Sequence, residues 1–153
     1  MQVIQFFVRN ANTCRHGEKS GSRKRKSIMI HFEDFKSDGK TPIYLQIVYY
    51  IKRGACAGTV SDGDELPSRR VLSALLGINP NTVQKAFRIL EEEGLIESRS
   101  GAKSFMVLSE EKVKTLKTEL LEEDVKRLAS ALKQTGIEKS EALRLIDRYW
   151  DEE

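Results

Sequence analysis

Residues 66–107 read LPSRRVLSALLGINPNTVQKAFRILEEEGLIESRSGAKSFMV, and the rest of the chain is interpreted outward from them. Ser68 follows Pro67, and its hydroxyl can accept from an orphan backbone N–H two or three residues on, which marks a helix N-cap. Val71, Leu72, Leu75 and Leu76 recur at spacings that gather them on one face, and Gly77 supplies the left-handed residue that ends a short amphipathic helix. After Ile78, Asn79 stands directly before Pro80, a cap followed by the residue best suited to a first helical position, so a second helix starts there. Val83, Ala86, Phe87 and Leu90 form its apolar stripe, while Asn81, Thr82, Gln84, Lys85 and Arg88 fall off that stripe and face outward. Leu95 to Arg99 and Lys103 to Val107 read as two strands joined around Ser100-Gly101-Ala102. Two helices across a tight turn, followed by a small hairpin, make a winged helix-turn-helix. The fold class is α+β and mostly helical.

The outward side chains of the second helix suit one task. Amides pair bidentately with adenine edges, a threonine methyl touches thymine, and a lysine reaches guanine or phosphate. The helix closes on Glu91-Glu92-Glu93-Gly94, three carboxylates that repel phosphate, so its N-terminal end is the one expected to enter a major groove. Arg99 and Lys103 flank the wing tip, which can lie along the backbone or the minor groove.

Several further motifs occur in order. Thr41-Pro42-Ile43-Tyr44-Leu45-Gln46-Ile47, Leu66-Pro67-Ser68-Arg69-Arg70, Asn79-Pro80-Asn81-Thr82-Val83, Leu90-Glu91-Glu92-Glu93-Gly94-Leu95-Ile96 and the glycine wing together resemble the GntR family of bacterial transcription regulators. The Asn-Pro-Asn-Thr turn and the short tail are similar to its YtrA-like subgroup. The resemblance runs from about Ile30 to the C-terminus and implies that Arg70 meets the DNA backbone or a base. It also implies that Asn81, Thr82, Gln84 and Lys85 occupy recognition-helix positions and that Gly101 is the wing glycine. The full set expected at DNA is Ser68, Arg69, Arg70, Asn79, Asn81, Thr82, Gln84, Lys85, Arg88, Arg99, Gly101 and Lys103. The chain departs from the family pattern in two places: Arg69 and Val71 flank Arg70, where an acidic residue is common after the arginine, and Lys103 stands where a second wing glycine is frequent.

With 153 residues, 39% hydrophobic and 32% charged, the chain fits one small domain plus an appendage, and no run is apolar enough to span a bilayer. Charge is unevenly spread: residues 1–40 carry 9 basic and 4 acidic side chains, residues 41–108 carry 8 and 7, and residues 109–153 carry 9 and 12. A net +3 over the whole chain is weak evidence for nucleic acid, so the placement of charge must carry that argument. Two cysteines and two histidines are present, fitting a reducing cytoplasm. Cys14 and His16 lack further metal ligands, Cys56 reads as a small half-buried residue with a thiol redox sensor as the alternative, and no nucleophile-plus-base spacing appears. No enzyme activity, metal or cofactor is expected.

Upstream, Pro42 starts a core helix in which Ile43, Ile47 and Ile51 recur with Leu45 and Val48 beside them, and Gly54 and Gly58 are read as its end. Residues 59–65 form a polar turn without the regular oxygen spacing of a calcium loop. Downstream, Ser109-Glu110-Glu111 caps a long helix running to about Gln134, Thr135-Gly136 breaks it, and a last helix is capped near Ser140. Residues 109–153 are too few to close a private core and call for a partner surface. A second copy is the economical partner, with Leu116, Leu120, Leu128, Leu132, Leu143, Ile146, Tyr149 and Trp150 at the dimer face, and the operator is then an inverted repeat of double-stranded DNA. A tail folded back on its own module is the alternative. The tail cannot enclose a small-molecule pocket alone, so an effector, whose identity is unknown, would sit between subunits.

The domain plan is therefore a basic extension over 1–28, a DNA-binding module over 29–108 and a helical dimerisation segment over 109–153. The extension is polar, ends in Arg23-Lys24-Arg25-Lys26 and is expected to be disordered. By the resemblance, Met29 is the expected biological start. The function expected is a sequence-specific, dimeric transcriptional repressor, and the family resemblance implies a nearby, transporter-type operon as its target. The other class left open is a winged-helix module for protein or RNA contact.

Overall fold

The computed structural model describes residues 28–99 and 103–150. Five helices and three strands follow in order: α1 (Ile43–Ala57), β1 (Glu65–Leu66), α2 (Arg69–Leu76), α3 (Pro80–Glu92), β2 (Ile96–Arg99), β3 (Lys103–Met106), α4 (Glu110–Gln134) and α5 (Lys139–Trp150). Among the described residues the chain divides into two compact units at Leu116, part way along α4.

In the first unit the element ends are the ones the residues dictate. The Ser68 hydroxyl accepts from the Val71 N–H, the Asn79 amide oxygen accepts from the Asn81 N–H, and Pro80 occupies the first turn of α3. Gly77 (φ 64°) and Gly94 (φ 66°) take the left-handed conformation that lets the chain leave α2 and the last turn of α3. Gly58 (φ 76°) does the same for α1. Gly54, expected to help end α1, instead lies inside it. A Cβ there would come within 2.7 Å of the Val60 Cγ2, so the glycine serves close packing of the following loop.

Val83, Ala86, Phe87 and Leu90 of α3 are fully buried and meet Ile47, Val48, Ile51 and Ala55 of α1 in one core with Leu66, Leu72, Ile96 and Met106. The sheet is antiparallel in the order β1-β3-β2, with Ile96 opposite Met106 and Arg99 opposite Lys103. β1, read from sequence as the end of a polar turn, contributes the third strand. Its own edge is met by Ile28–Ile30, where the Glu65 N–H donates to the Ile28 carbonyl and the Ile30 N–H to the Glu65 carbonyl. Asp64 secures this turn by accepting from the Ile28 and Ser61 N–H groups, and Asp62 by accepting from Leu108.

The expected stripe of α2 is rotated. Leu72 and Ser73 are buried, whereas Val71 and Leu75 are each 55% exposed. A serine can replace an apolar residue there because its hydroxyl donates to the Ile78 carbonyl at 2.7 Å, removing the cost of burying an unpaired polar group.

Ahead of α1, Phe32 stacks on Tyr50 (5.1 Å between centroids) and Phe35 meets the same ring edge-on. Burial of the Tyr50 phenol raises its pKa, with the Asp34 charge adding to the effect. Asp38 organises the preceding turn: its carboxylate accepts from the Thr41 and Lys40 N–H groups and from the Gln46 amide, and those backbone donors hold its pKa below the usual value.

α4 begins after Ser109, whose hydroxyl accepts from the Lys112 N–H. Lys112 Nζ donates to the Gly94 carbonyl at 2.6 Å, tying this first turn to the end of α3. In the second unit Gly136 (φ 74°) ends the link after α4, and α5 starts at Lys139, with the Glu138 carbonyl taking the first helical bonds. Ser140 is thus within the first turn rather than at the cap. Among the described residues no helix is long and apolar enough to cross a membrane.

Candidate nucleic-acid interface

The second helix of the pair, α3, is divided lengthwise. One face is buried, and the other presents Asn81, Gln84, Lys85 and Arg88 to solvent with Thr82 half-exposed. The side chains of Asn81, Thr82 and Gln84 make no hydrogen bond within the described residues, so their donors and acceptors stand open at the N-terminal end of the helix. That end also carries the positive pole of the helix dipole. Ser68 and Asn79 act as caps, their side-chain oxygens accepting from the Val71 and Asn81 N–H groups, while Asn79 stays exposed and Ser68 half-exposed.

The cations divide into paired and unpaired. Arg70 is exposed and makes no ion pair or hydrogen bond among the described residues. Lys85 has no carboxylate partner among the described residues; its ammonium lies 3.8 Å over the Tyr44 ring, a cation–π contact that brings α1 beside the outward face of α3 and that the sequence pattern gave no sign of. Arg88 pairs with Glu92 one turn on, at 3.4 Å. At the wing, Arg99 pairs with Glu97 at 3.2 Å and covers Phe105, and Lys103 pairs with Glu65 at 2.9 Å. These side chains are mostly exposed, so the pairs are weak and open to exchange for phosphate. Gly101 lies outside the described residues.

Arg69 behaves differently from its neighbour. Its guanidinium turns inward over the Phe87 ring at 5.1 Å and donates to Glu91 at 3.1 Å and to the Ser98 hydroxyl at 3.3 Å. The acidic run at the end of α3 is consumed in the same way: Glu91 by Arg69, Glu92 by Arg88 and Glu93 by Lys52 of α1 at 2.7 Å. With Glu65 and Glu97 paired, and Asp62 and Asp64 accepting backbone N–H groups, every carboxylate between residues 41 and 108 has an internal partner. The near-neutral total of this module therefore conceals a local surplus. Arg70 and Lys85 are not cancelled.

The tail presents a different surface. Leu116 and Leu120, expected at a dimer face, are buried within the single chain. Leu121, Val125 and Leu128 of α4 are 57%, 63% and 46% exposed, and with Leu132 they recur at intervals of four, three and four residues. Leu143, Tyr149 and Trp150 of α5 are exposed too, and Ile146 is half-buried. An open groove of about 370 Å³ follows the α4 stripe past Thr118, Glu122 and Lys126, and another of about 400 Å³ runs along α5 between Leu143 and Trp150. Among the described residues no cluster of three or more histidine, cysteine or carboxylate side chains could hold a metal. Cys56 is half-buried, and Cys14 and His16 lie outside the described residues, as do nearly all of the basic extension and its expected disorder.

The family model for the gntR family of bacterial regulatory proteins matches residues 43–106, which is α1 through β3. The HTH-type transcriptional repressor YtrA of Bacillus subtilis (strain 168) is 39% identical over 101 residues, 64% of this chain and 76% of that protein. An uncharacterized HTH-type transcriptional regulator of the same strain, YhcF, is 32% identical over 116 residues, 76% of this chain and 96% of that protein. Among solved structures, a GntR family transcriptional regulator from Listeria monocytogenes superposes with a TM-score of 0.63 at 29% identity, covering 73% of this chain and 98% of that one.

Proposed function

The chain belongs to the GntR family of bacterial regulatory proteins and is similar to its YtrA-like subgroup, and on that premise we propose that it is a sequence-specific, dimeric transcriptional repressor. The observation that carries this reading is the open N-terminal end of α3. Asn81, Thr82 and Gln84 have no side-chain hydrogen-bond partner among the described residues while Val83, Ala86, Phe87 and Leu90 on the opposite face are buried, so the helix is anchored on one side with its hydrogen-bonding groups outward. In the bound state Asn81, Thr82 and Gln84 read base edges, Arg70, Lys85 and Arg88 hold phosphates, and Arg99 and Lys103 lie against the backbone beside the wing. Ser68 and Asn79 support this indirectly, by fixing where α2 and α3 start.

Residues 109–153 are the dimerisation segment of this proposal, with the α4 stripe and the apolar side of α5 covered by a second copy. Pairing places two copies of α3 about one DNA turn apart, roughly 34–36 Å, so the operator is an inverted repeat. Bound across a cytoplasmic promoter, such a dimer excludes polymerase from a nearby operon, and a transporter operon is the proposed target.

The test is footprinting of purified protein on its own upstream region, followed by titration of that duplex and a scrambled one at 50 and 200 mM salt. A protected inverted repeat, with affinity falling steeply with salt for both duplexes, is expected. Equal affinity for both duplexes at every salt concentration would reject sequence-specific reading.

A further inference from the structure

We propose that Arg69 is a positioning residue that locks the wing to the recognition helix, and that it does so without touching DNA. The inference rests on the DNA-reading function proposed above and assigns one of its parts. Arg69 and Arg70 are consecutive at the start of α2, yet they part company. Arg70 is free in solvent, while Arg69 donates through one terminal nitrogen to Glu91 of α3 and to Ser98 of β2. Ser98 also donates to Glu91 and sits 3.2 Å from the Ser104 hydroxyl across the hairpin. Ser98 and Ser104 are opposite one another in the register, one rung below the Arg99–Lys103 pair that closes the described part of the wing. The network therefore runs from the start of α2, over the Phe87 ring, through the end of α3, to the base of the wing tip.

Geometry explains why this linkage governs position. Ser104 is 2% exposed and the Arg69 side chain 27%, so the bonds are partly shielded and directional. β3 is held by β1 at Ser104 and Phe105, whereas β2 is the edge strand, and its Ser98 is tied to α3 by side chains through Arg69 and Glu91. The Arg69 Nε is buried with no hydrogen-bond partner among the described residues, while one terminal nitrogen of the same guanidinium is held by Glu91 and Ser98. Severing the link lets Arg99 and Lys103 drift from the phosphates that α3 has put within reach, although neither residue is altered.

The experiment uses the full chain, with anisotropy titrations of the upstream duplex and of a scrambled duplex between 50 and 200 mM salt, on Arg69→Met, Glu91→Met and the double variant. Each single change is expected to weaken specific binding roughly tenfold, with the double variant no weaker than the worse single one. The salt slope is expected to fall by about two, for two wing cations, in all three. Glu91→Met is decisive in sign. It removes a negative charge and releases Arg69, so if Arg69 is itself a phosphate contact, binding tightens, and the proposal is overturned. Variants that bind with wild-type affinity and slope overturn it as well. Should Arg69→Met fail to fold, Ser98→Ala cuts the network at its wing end and is expected to lower the slope in the same way. Wild-type protein that does not distinguish its upstream duplex defeats the functional reading instead, a result separable from failure of the variants alone.

Discussion

α3 and α4 carry the same kind of sequence pattern and meet opposite fates. In α3 the apolar residues Val83, Ala86, Phe87 and Leu90 are at most 1% exposed, because α1 and the sheet close over them. In α4, Leu121, Val125 and Leu128 are spaced just as regularly and remain about half exposed. Helical periodicity states that a face needs cover; it does not say what provides it. Where the chain supplies the cover, the helix becomes a rigid platform for outward polar groups. Where no described residue does, the face stays open.

The strongest way to break this contrast is to truncate one residue from each stripe. Phe87→Ala is expected to cost about 3–5 kcal/mol and to unfold much of the reading module in urea titration, because it empties a filled core site. Val125→Ala should stay within about 0.5 kcal/mol in the same titration at protein concentrations low enough to keep the chain monomeric. A large loss from Val125→Ala in that dilute regime would mean that the chain covers its own tail.

Function provides the next contrast. Arg70→Ala is expected to weaken binding to specific and random duplex alike by about 1–3 kcal/mol, while Gln84→Ala mainly relaxes preference between sequences. Equal effects of both on both duplexes would remove the division of roles along the reading face.

Close packing on the covered side makes Gly54→Ala destabilising by about 1–3 kcal/mol, read as a lower melting temperature, since the new methyl group must displace Val60. On the uncovered side, Leu121→Glu with Val125→Glu should leave the melting of the reading module unchanged and halve the mass seen by sedimentation at micromolar concentration. Wild-type protein already sedimenting as a monomer would remove the second copy as the occupant of the stripe.

The smallest expected effect is in acid. The folded-state pKa of Asp38 is depressed by the Thr41 and Lys40 N–H groups, so its contribution is complete above the ordinary carboxylate range and fades as pH falls through and below it. Asp38→Asn should therefore flatten the acid limb of a stability-versus-pH curve and leave the limb above neutrality unchanged.

Much of the reading module was legible because its signals are local. Ser68, Gly77, Asn79-Pro80 and Gly94 act on backbone groups within a few residues of themselves, and each helix boundary in the motif follows from them. What the residue types could not reveal was orientation. Val71 and Leu75 are as apolar as Leu72, yet α2 turns them outward and buries Ser73, because the choice of face depends on which elements arrive above it. The same rotation sends Arg69 inward and leaves Arg70 outside. Their identical chemistry gave no means of separating an internal tie from a free cation. Glu65–Leu66 escaped notice as a strand because two residues show no alternation, and only pairing with β3 makes them one.

From the chain alone come the caps, the apolar periods and the polar set Asn81, Thr82 and Gln84 on the outward face of α3, since these depend on contacts within one or two turns. Tertiary structure decided which charges cancel. Lys52 meets Glu93 across 41 residues, Lys103 meets Glu65 across 38, and Arg69 meets Glu91 across 22. Ion pairs between residues so far apart in sequence exist only once helices and sheet have closed on one another, and their closure leaves Arg70 and Lys85 without a carboxylate partner among the described residues.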